Sequence, residues 1–520
     1  MNVLLIYPKS PRKLSIGRDD RVIRLASKGA YSPPLGLLTV AALLPSHWNL
    51  KLVDLTFQAV SESDWSWCDA VFTTGTVPQF RQIIELVSES KKRGKQVAVG
   101  GPAAFHFPDE FLKRNCDFVA IGEGEVTIGA LIEKIENGRP GSVIRSDLRA
   151  DMALSPAPRF DLLDMKSYVD MAIQTSRGCP FHCEFCDATL IFGREVRTKE
   201  PNRIITELQL LYDLGWRREI YIVDDNFIGK PVKTKRLLEA MIKWTNDHGM
   251  PFEFFTHASV NLAQFPEVMD MMVQAGFVSV YVGIESTDKE ALEIARKVQN
   301  STVDLDAACR KITEAGLQIV AGTMIGMDGE KPGRDSSLIE FAGRNNIPVV
   351  EIAMVYAYPG TALWQRLEKE ERLLYSDKDN LLQSNNLLMN FVPTRPAEEI
   401  ESEFLNAMSA LYDYSTFLDR AYSHFAAMRS LPVRGFRKRL QWNEVKIFVI
   451  TLIQWGIVRK TRTKFWPMLL KIYLNMDMKR LFLFVRSCVA LEHYVDLFGE
   501  CKDLLGPPGS ERETSRKIIS

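Results

Sequence analysis

The segment Ala172-Ile-Gln-Thr-Ser-Arg-Gly-Cys-Pro-Phe-His-Cys-Glu-Phe-Cys186 sets a short apolar strand directly before three cysteines. Cys179, Cys183 and Cys186 are spaced C-x3-C-x2-C, close enough for one loop to wrap three corners of an iron-sulfur cube. A [4Fe-4S] cluster normally takes four thiolates, so a loop that supplies three leaves one iron open to another ligand. His182 would complete a four-ligand zinc site instead, but zinc sites usually draw on two separated ligand pairs, and four ligands within one short loop are cramped. The spacing favours the cluster and leaves zinc as the alternative.

Reading outward, the strand before the cysteines is the first of six. The others are Glu219–Val223, Phe252–Thr256, Val278–Ile284, Gln318–Met324 and Val349–Val355, with helical stretches between them. Six strand-helix units over residues 168–375 predict a partial (β/α)6 barrel, with chemistry at the carboxyl ends of the strands. The cysteines fall just after the first strand, where that rule wants them.

Residues 1–140 show a second alternation, with strands Val3–Tyr7, Leu50–Asp54, Ala70–Thr74, Gln96–Gly100 and Phe118–Ile121. Apolar strands alternating with helices imply a doubly wound parallel sheet whose ligand sits beyond the strand ends. The loops there are Thr74-Gly75-Thr76, Gly100-Gly101 and Gly122-Glu123-Gly124, with glycine where backbone would approach a large ligand. Their spacing misses the G-x-G-x-x-G of dinucleotide sites, which discounts a nicotinamide cofactor. Residues 141–167 read as a linker. From 376 to 520 the chain reads helical, and between Leu431 and Arg480 it holds 12 Lys or Arg against two acidic residues, interleaved with aromatics.

Composition excludes little. The chain has 520 residues, 46% hydrophobic and 25% charged, with zero net charge, so it is globular and carries no whole-chain mark of nucleic-acid binding. Five of the eight cysteines (Cys68, Cys116, Cys309, Cys488, Cys501) are scattered, unlike a disulfide framework. The amino terminus lacks a signal pattern, which points to the cytoplasm. The longest uncharged apolar run, Ile447 to Val458, is too short to span a bilayer and could lie in its interface.

The cysteines, with Phe185 before the last, resemble the signature of the radical S-adenosylmethionine superfamily. Val223-Asp-Asp-Asn-Phe227, Gly283-Ile-Glu-Ser286, Gly322-Thr-Met-Ile-Gly-Met327 and Tyr358-Pro-Gly-Thr361 follow in that superfamily's barrel order. The leading domain is similar to the cobalamin-binding domain of one of its classes. Phe192–Lys199 and Ile222–Gly229 resemble the subgroup that includes the hopanoid C-2 methylase.

The resemblance implies three cofactors: the [4Fe-4S] cluster, S-adenosylmethionine and cobalamin. Glu285 would face the ribose or amino group of S-adenosylmethionine, with Phe185 and Ile325 near its adenine. Cobalamin would lie at Thr74, Gly75, Thr76, Gly100, Gly101, Gly122, Glu123 and Gly124. It would bind without a ligand from an Asp-x-His-x-x-Gly motif, which the chain lacks, and His106 reads as a surface histidine. Asp225, His257 and Tyr356 are candidates for the substrate pocket, alongside Ser259 and Tyr358, while Asp224 and Asp225 read equally as a helix-capping pair.

The expected activity is radical C-methylation of an unactivated carbon, on a lipid-like or otherwise hydrophobic small molecule. An enzyme of the same architecture that oxidises, couples or cyclises is the first alternative. A non-catalytic cobalamin or iron-sulfur sensor is the second. Expected partners are an electron donor such as flavodoxin or ferredoxin and a peripheral contact at the inner membrane face, with no nucleic acid.

Overall fold

Four consecutive residues, Val3 to Ile6, are completely buried, as happens when helices cover both faces of a sheet. They form β1 (Asn2–Tyr7). The structure, a computed structural model, describes residues 1–9, 29–138, 140–374, 388–429 and 442–505. The described residues divide into two compact units. One takes the amino-terminal strand with residues 29–180 and 187–225, the other residues 181–186 and those from 226 onward.

In the first unit, β1 is joined by β2 (Asn49–Asp54), β3 (Ala70–Thr74), β4 (Gln96–Gly100), β5 (Phe118–Ile121) and β6 (Ser142–Arg145). All pairings are parallel, in the order β2-β1-β3-β4-β5-β6. Alternate residues of β1 serve opposite faces. Val3 and Leu5 meet Leu37 and Ala41 of α1 (Leu35–Leu43). Leu4 and Ile6 meet Trp65 and Leu86, the latter from α2 (Phe80–Lys92). This is the doubly wound sheet expected. Its order reverses between β1 and β3, which puts the ligand crevice beyond their carboxyl ends. There Gln79 Nε2 donates to the Pro8 carbonyl at 2.7 Å.

One difference concerns the stretch read as linker. Ser142–Arg145 is the sixth strand, paired with β5 along its whole length. It lies at the sheet edge and buries only Ile144, so it lacks the apolar run that marks a central strand.

The first unit also holds β7 (Met171–Ile173) parallel to β10 (Glu219–Ile222), and a short antiparallel pair, β8 (Ser176–Arg177) with β9 (Arg197–Thr198). In the second unit β11 (Glu253–Ala258), β12 (Phe277–Glu285), β13 (Gln318–Ile325) and β14 (Val349–Met354) run parallel in sequence order. All six strands of the second alternation thus form, within two residues of the predicted bounds.

Helices follow the strands. In the first unit they include α3 (Gly101–His106) and α4 (Gly124–Glu136), and in the second α5 (Arg334–Arg344) and α6 (Ala362–Lys369). Beyond them come α7 (Ala397–Leu411), α8 (Tyr414–Ala427), α9 (Trp442–Ile453), a single π turn (Gln454–Val458), α10 (Arg462–Asn475) and α11 (Met478–Leu505). The part of the basic aromatic segment from 431 to 441 lies outside the described residues. In α7, Ile400, Phe404, Ala407, Met408 and Leu411 are buried, the spacing of one helical face. α11 docks on the strands through polar contacts as well: Gln318 Nε2 donates to Ser487 Oγ at 3.1 Å, and the Tyr494 hydroxyl to Glu351 Oε1 at 2.9 Å. No helix among the described residues is long and apolar enough to cross a membrane.

Candidate active site

The cysteine loop begins where only glycine fits. Gly178 has φ +94°, and a Cβ there would lie 2.5 Å from the Glu195 carbonyl oxygen. Its N–H donates to Asp225 Oδ2 at 2.7 Å, and the Cys179 N–H donates to the Gly193 carbonyl at 3.3 Å. Asp225 therefore orients the start of the loop. Burial, reinforced by the Asp224 and Asp187 carboxylates and opposed by the Gly178 hydrogen bond, pushes its pKa up to about 7.

Asp224 is different. It is wholly buried and accepts from the N–H groups of Thr175 (2.7 Å) and Ser176 (3.0 Å), the Ser176 hydroxyl (2.7 Å) and the Thr175 hydroxyl. It caps no helix; its hydrogen bonds tie the end of β10 to the turn between β7 and β8.

Beside the loop, Arg177 is buried against two carboxylates of the glycine-rich turn before α4: Glu123 at 2.7 Å and Glu125 at 2.8 Å. Arg197 also reaches Glu123, at 2.9 Å. The Glu123 carboxylate is thus buried and held by two guanidiniums.

The glycines of these loops answer first to their own packing. A Cβ at Gly101 (φ +81°) would meet Thr74 Oγ1 at 2.1 Å, one at Gly122 the Ser146 carbonyl oxygen at 2.6 Å, and one at Gly75 the Ile83 side chain at 2.9 Å. Of the adjacent pair Gly100, which ends β4, and Gly101, which opens α3, only Gly100 has room, its nearest neighbour being Ala120 at 3.8 Å. Thr76 heads a one-turn helix, its N–H donating to Gln79 Oε1 at 3.0 Å. His106 is buried rather than at the surface, its Nε2 3.4 Å from Asp187 Oδ2, one residue past Cys186.

In the second unit Glu184 anchors the middle of the loop. Its carboxylate receives a forked pair from Arg366 of α6, at 2.7 and 3.1 Å, and its backbone bonds to Ala295 and Leu363. Cys183 Sγ lies 3.5 Å from Gln299 Nε2. Lys297 donates to Glu285 Oε1 at 2.6 Å and stands 5.8 Å from the centre of the Phe185 ring. Burial works against its charge, yet Glu285 and the Cys183 and Cys186 sulfurs hold the ammonium well above the ordinary lysine range.

Glu285 is the last residue of β12 and sits at φ +61°. Arg334 of α5 holds its carbonyl at 3.0 Å, while Asn300 Nδ2 holds those of Gly283 and Ile284 at 2.9 and 2.8 Å. Strain of this kind persists where surroundings over-determine it. Gly283 makes the room: a Cβ there would lie 2.3 Å from Glu285 Oε1 and 3.0 Å from Lys297 Nζ. Behind it Glu330 accepts from Arg334, Ser286 and the N–H groups of Gly326 and Met327, joining the ends of β12 and β13.

These surroundings suit thiolates bearing a cluster. The three loop cysteines are half-buried, whereas the other five are buried. Burial pushes the Cys116 and Cys309 thiols up to about 12, as for inert structural cysteines. An ammonium and an amide donor beside Cys183 compensate the negative sulfur, a lever that also tunes cluster potential. Among the described residues no three His, Cys, Asp or Glu side chains gather closely enough to hold a single metal ion.

Comparison with known proteins agrees. Residues 21–132 match the B12 binding domain, 173–342 the radical SAM superfamily and 361–505 a domain of unknown function, DUF4070. An uncharacterized methyltransferase of Synechocystis sp. is 42% identical over 466 residues, 90% of this chain and 86% of that protein. The hopanoid C-2 methylase of Rhodopseudomonas palustris is 32% identical over 491 residues, 92% and 91% of the two chains. The chain belongs to the cobalamin-binding radical S-adenosylmethionine methyltransferases. The methyltransferase shares its fold with TsrM of Kitasatospora setae, solved with cobalamin and a [4Fe-4S] cluster, at a TM-score of 0.59, 15% identity and coverage of 94% of this chain and 99% of that one. Its cofactors are those of the family: the cluster, S-adenosylmethionine and cobalamin.

The remaining expected residues of the methyltransferase are placed as follows. Ile325 ends β13 and is fully buried. His257 of β11 packs against Tyr281, ring centres 4.7 Å apart, and burial holds its pKa down to about 4, so the ring is neutral. Ser259 is taken up with Asn226 and Asn261. Tyr356 and Tyr358 meet edge to face at 5.1 Å. Sequence reasoning missed Glu184, Lys297, Gln299 and Arg366; no spacing marks them, because each earns its place through a partner distant in the chain.

Proposed function

We propose that this methyltransferase adds a methyl group to an unactivated carbon of a lipid-like, hydrophobic small molecule. The observation that carries the reading is the Glu285–Lys297 pair beside Cys183 and Cys186. A carboxylate and an ammonium side by side complement the two charges of an amino-acid zwitterion, which is what S-adenosylmethionine presents. Bound together, the cluster and S-adenosylmethionine supply a radical able to abstract hydrogen from carbon, and cobalamin supplies the methyl group.

The protein's own residues bind and orient. Cys179, Cys183 and Cys186 hold the cluster. Glu285 takes the amino group of S-adenosylmethionine, with Phe185 and Ile325 toward its adenine. Asp225 fixes the loop through Gly178, and His257 and Tyr356 border the substrate. Residues 1–140 hold cobalamin at Thr74–Thr76, Gly100–Gly101 and the backbone of Gly122–Gly124; 168–375 carry the radical chemistry and 376–520 the helical region. A hydrophobic acceptor is supported by the relation to a methylase named for hopanoids. Such an acceptor is met at the inner face of the cytoplasmic membrane by a peripherally bound protein, and a flavodoxin or ferredoxin delivers the electron.

The test is anaerobic incubation of the reconstituted enzyme with methyl-d3 S-adenosylmethionine and a lipid extract. A lipid product carrying the d3 group is expected, and Cys183→Ala should lose both iron and turnover while Cys309→Ala keeps them. Formation of 5′-deoxyadenosine with an oxidised, unlabelled product would overturn methyl transfer.

A further inference from the structure

Proteins rarely leave large apolar side chains exposed in rows, yet α9, the π turn and α10 do so twice. Val449, Ile453 and Ile457 recur along one side of α9 and its π turn, and Ile457 is 62% exposed. The inward side of the same stretch is taken by Thr451 and Trp455, both buried. On α10 the outward row is Trp466, Leu470 and Leu474, at i, i+4 and i+8, with Leu474 67% exposed. Phe465, Leu469 and Ile472 form the buried row opposite. The outward rows are therefore surplus to the core of these helices, each of which already has an inward face.

The two rows are fastened together. Trp466 Nε1 donates to the Gly456 carbonyl at 2.8 Å, and a Cβ at Gly456 would lie 2.6 Å from the Trp466 ring. Glycine in the π turn thus seats a half-exposed tryptophan beside Ile457. An aromatic ring with one polar edge satisfied and its body outward suits a water-to-hydrocarbon boundary.

The charge around the rows is of one sign. From Val445 to Met476 there are six Lys or Arg and no acidic residue. Arg459 pairs with Glu492 and Lys464 with Asp419, both partners lying outside that stretch. Lys446, Lys460, Arg462 and Lys471 are exposed.

We propose that α9, the π turn and α10 together form the surface by which this protein lies on an anionic lipid bilayer. The inference rests on the peripheral contact proposed above and goes further in naming the face. Apolar rows enter the headgroup boundary, and the exposed cations meet anionic headgroups; the contact is shallow and reversible, since neither helix spans.

Flotation of the full-length protein with phosphatidylglycerol–phosphatidylcholine vesicles tests it. Wild type should float at low salt and progressively less as salt rises. Leu470→Ser/Leu474→Ser should weaken binding by roughly tenfold or more through lost apolar burial. Lys460→Glu/Lys471→Glu should abolish the preference for anionic over neutral vesicles. Unchanged melting temperature and iron content show that the variants are folded, and d3-methyl transfer to detergent-dispersed substrate should persist. Wild type that floats while both variants float equally well overturns the assigned face but keeps the peripheral contact. Wild type that stays unbound on anionic vesicles at low salt overturns both. A concentration-dependent dimer dissolved by the serine pair, without vesicle binding, assigns the face to a second copy instead.

Discussion

At Gly100 and Gly101 two adjacent glycines have opposite reasons to be there. Gly101→Ala must force a side chain into φ +81° and against Thr74 Oγ1, so we expect a loss of about 1–3 kcal/mol of stability. Gly100→Ala, in extended backbone with no close neighbour, should melt like wild type. Gly100→Val then becomes the cleaner probe of cofactor approach: weaker hydroxocobalamin binding in equilibrium dialysis with an unchanged melting curve is expected, whereas unaltered binding would remove this loop from the cobalamin site. From sequence the two positions looked alike. Glycine was legible as a need for close approach, but what approaches, a ligand or the chain's own Thr74, is decided by tertiary neighbours.

Among the elements, the strands were the readable part. Parallel strands buried on both faces leave continuous apolar runs, which is why β1 and β3 to β5 are plain in the sequence. β6 was hidden because an edge strand with one buried side chain has no such run. The clamps on the cysteine loop were hidden for another reason: Glu184 and Arg366 are 182 residues apart, and nothing local announces the pair. Arg366→Ala leaves Glu184 buried without its forked partner, at a cost of about 2–4 kcal/mol. We expect lower iron per chain after reconstitution and gel filtration as well as a lower melting temperature. Arg366→Lys should recover part of the stability but not the bidentate geometry. Wild-type iron retention in both variants would show that Glu184 does not position the loop.

For the molecule as a whole, α11 brings a pH dependence. Burial, opposed by the Tyr494 hydrogen bond, pushes the Glu351 pKa up to about 7 from an ordinary 4.5. The native state therefore binds more protons than the unfolded chain between those values, so stability contributed by this group falls as pH rises through them and stays low above about 7. Glu351→Gln keeps an acceptor for Tyr494 and cannot ionise. It should be more stable than wild type by up to about 3 kcal/mol at pH 8, with the difference vanishing toward pH 4.5. Urea midpoints at the two pH values check this, and a pH-independent difference would show that Glu351 does not titrate as described.

The β8–β9 pair has a consequence for how the chain meets its iron. Ser176 pairs with Thr198, so the excursion that carries all three cysteines is tied at its base as part of the fold. Joining the ends of a loop of this length costs about 3 kcal/mol in chain entropy. Folding, rather than metal capture, bears that cost. We therefore expect the cysteine loop to be a template set before loading, unlike a zinc finger whose chain orders only around its ion. Iron stripped by a chelator should leave the far-ultraviolet dichroism almost unchanged, and iron and sulfide added back should find the loop ends already in place.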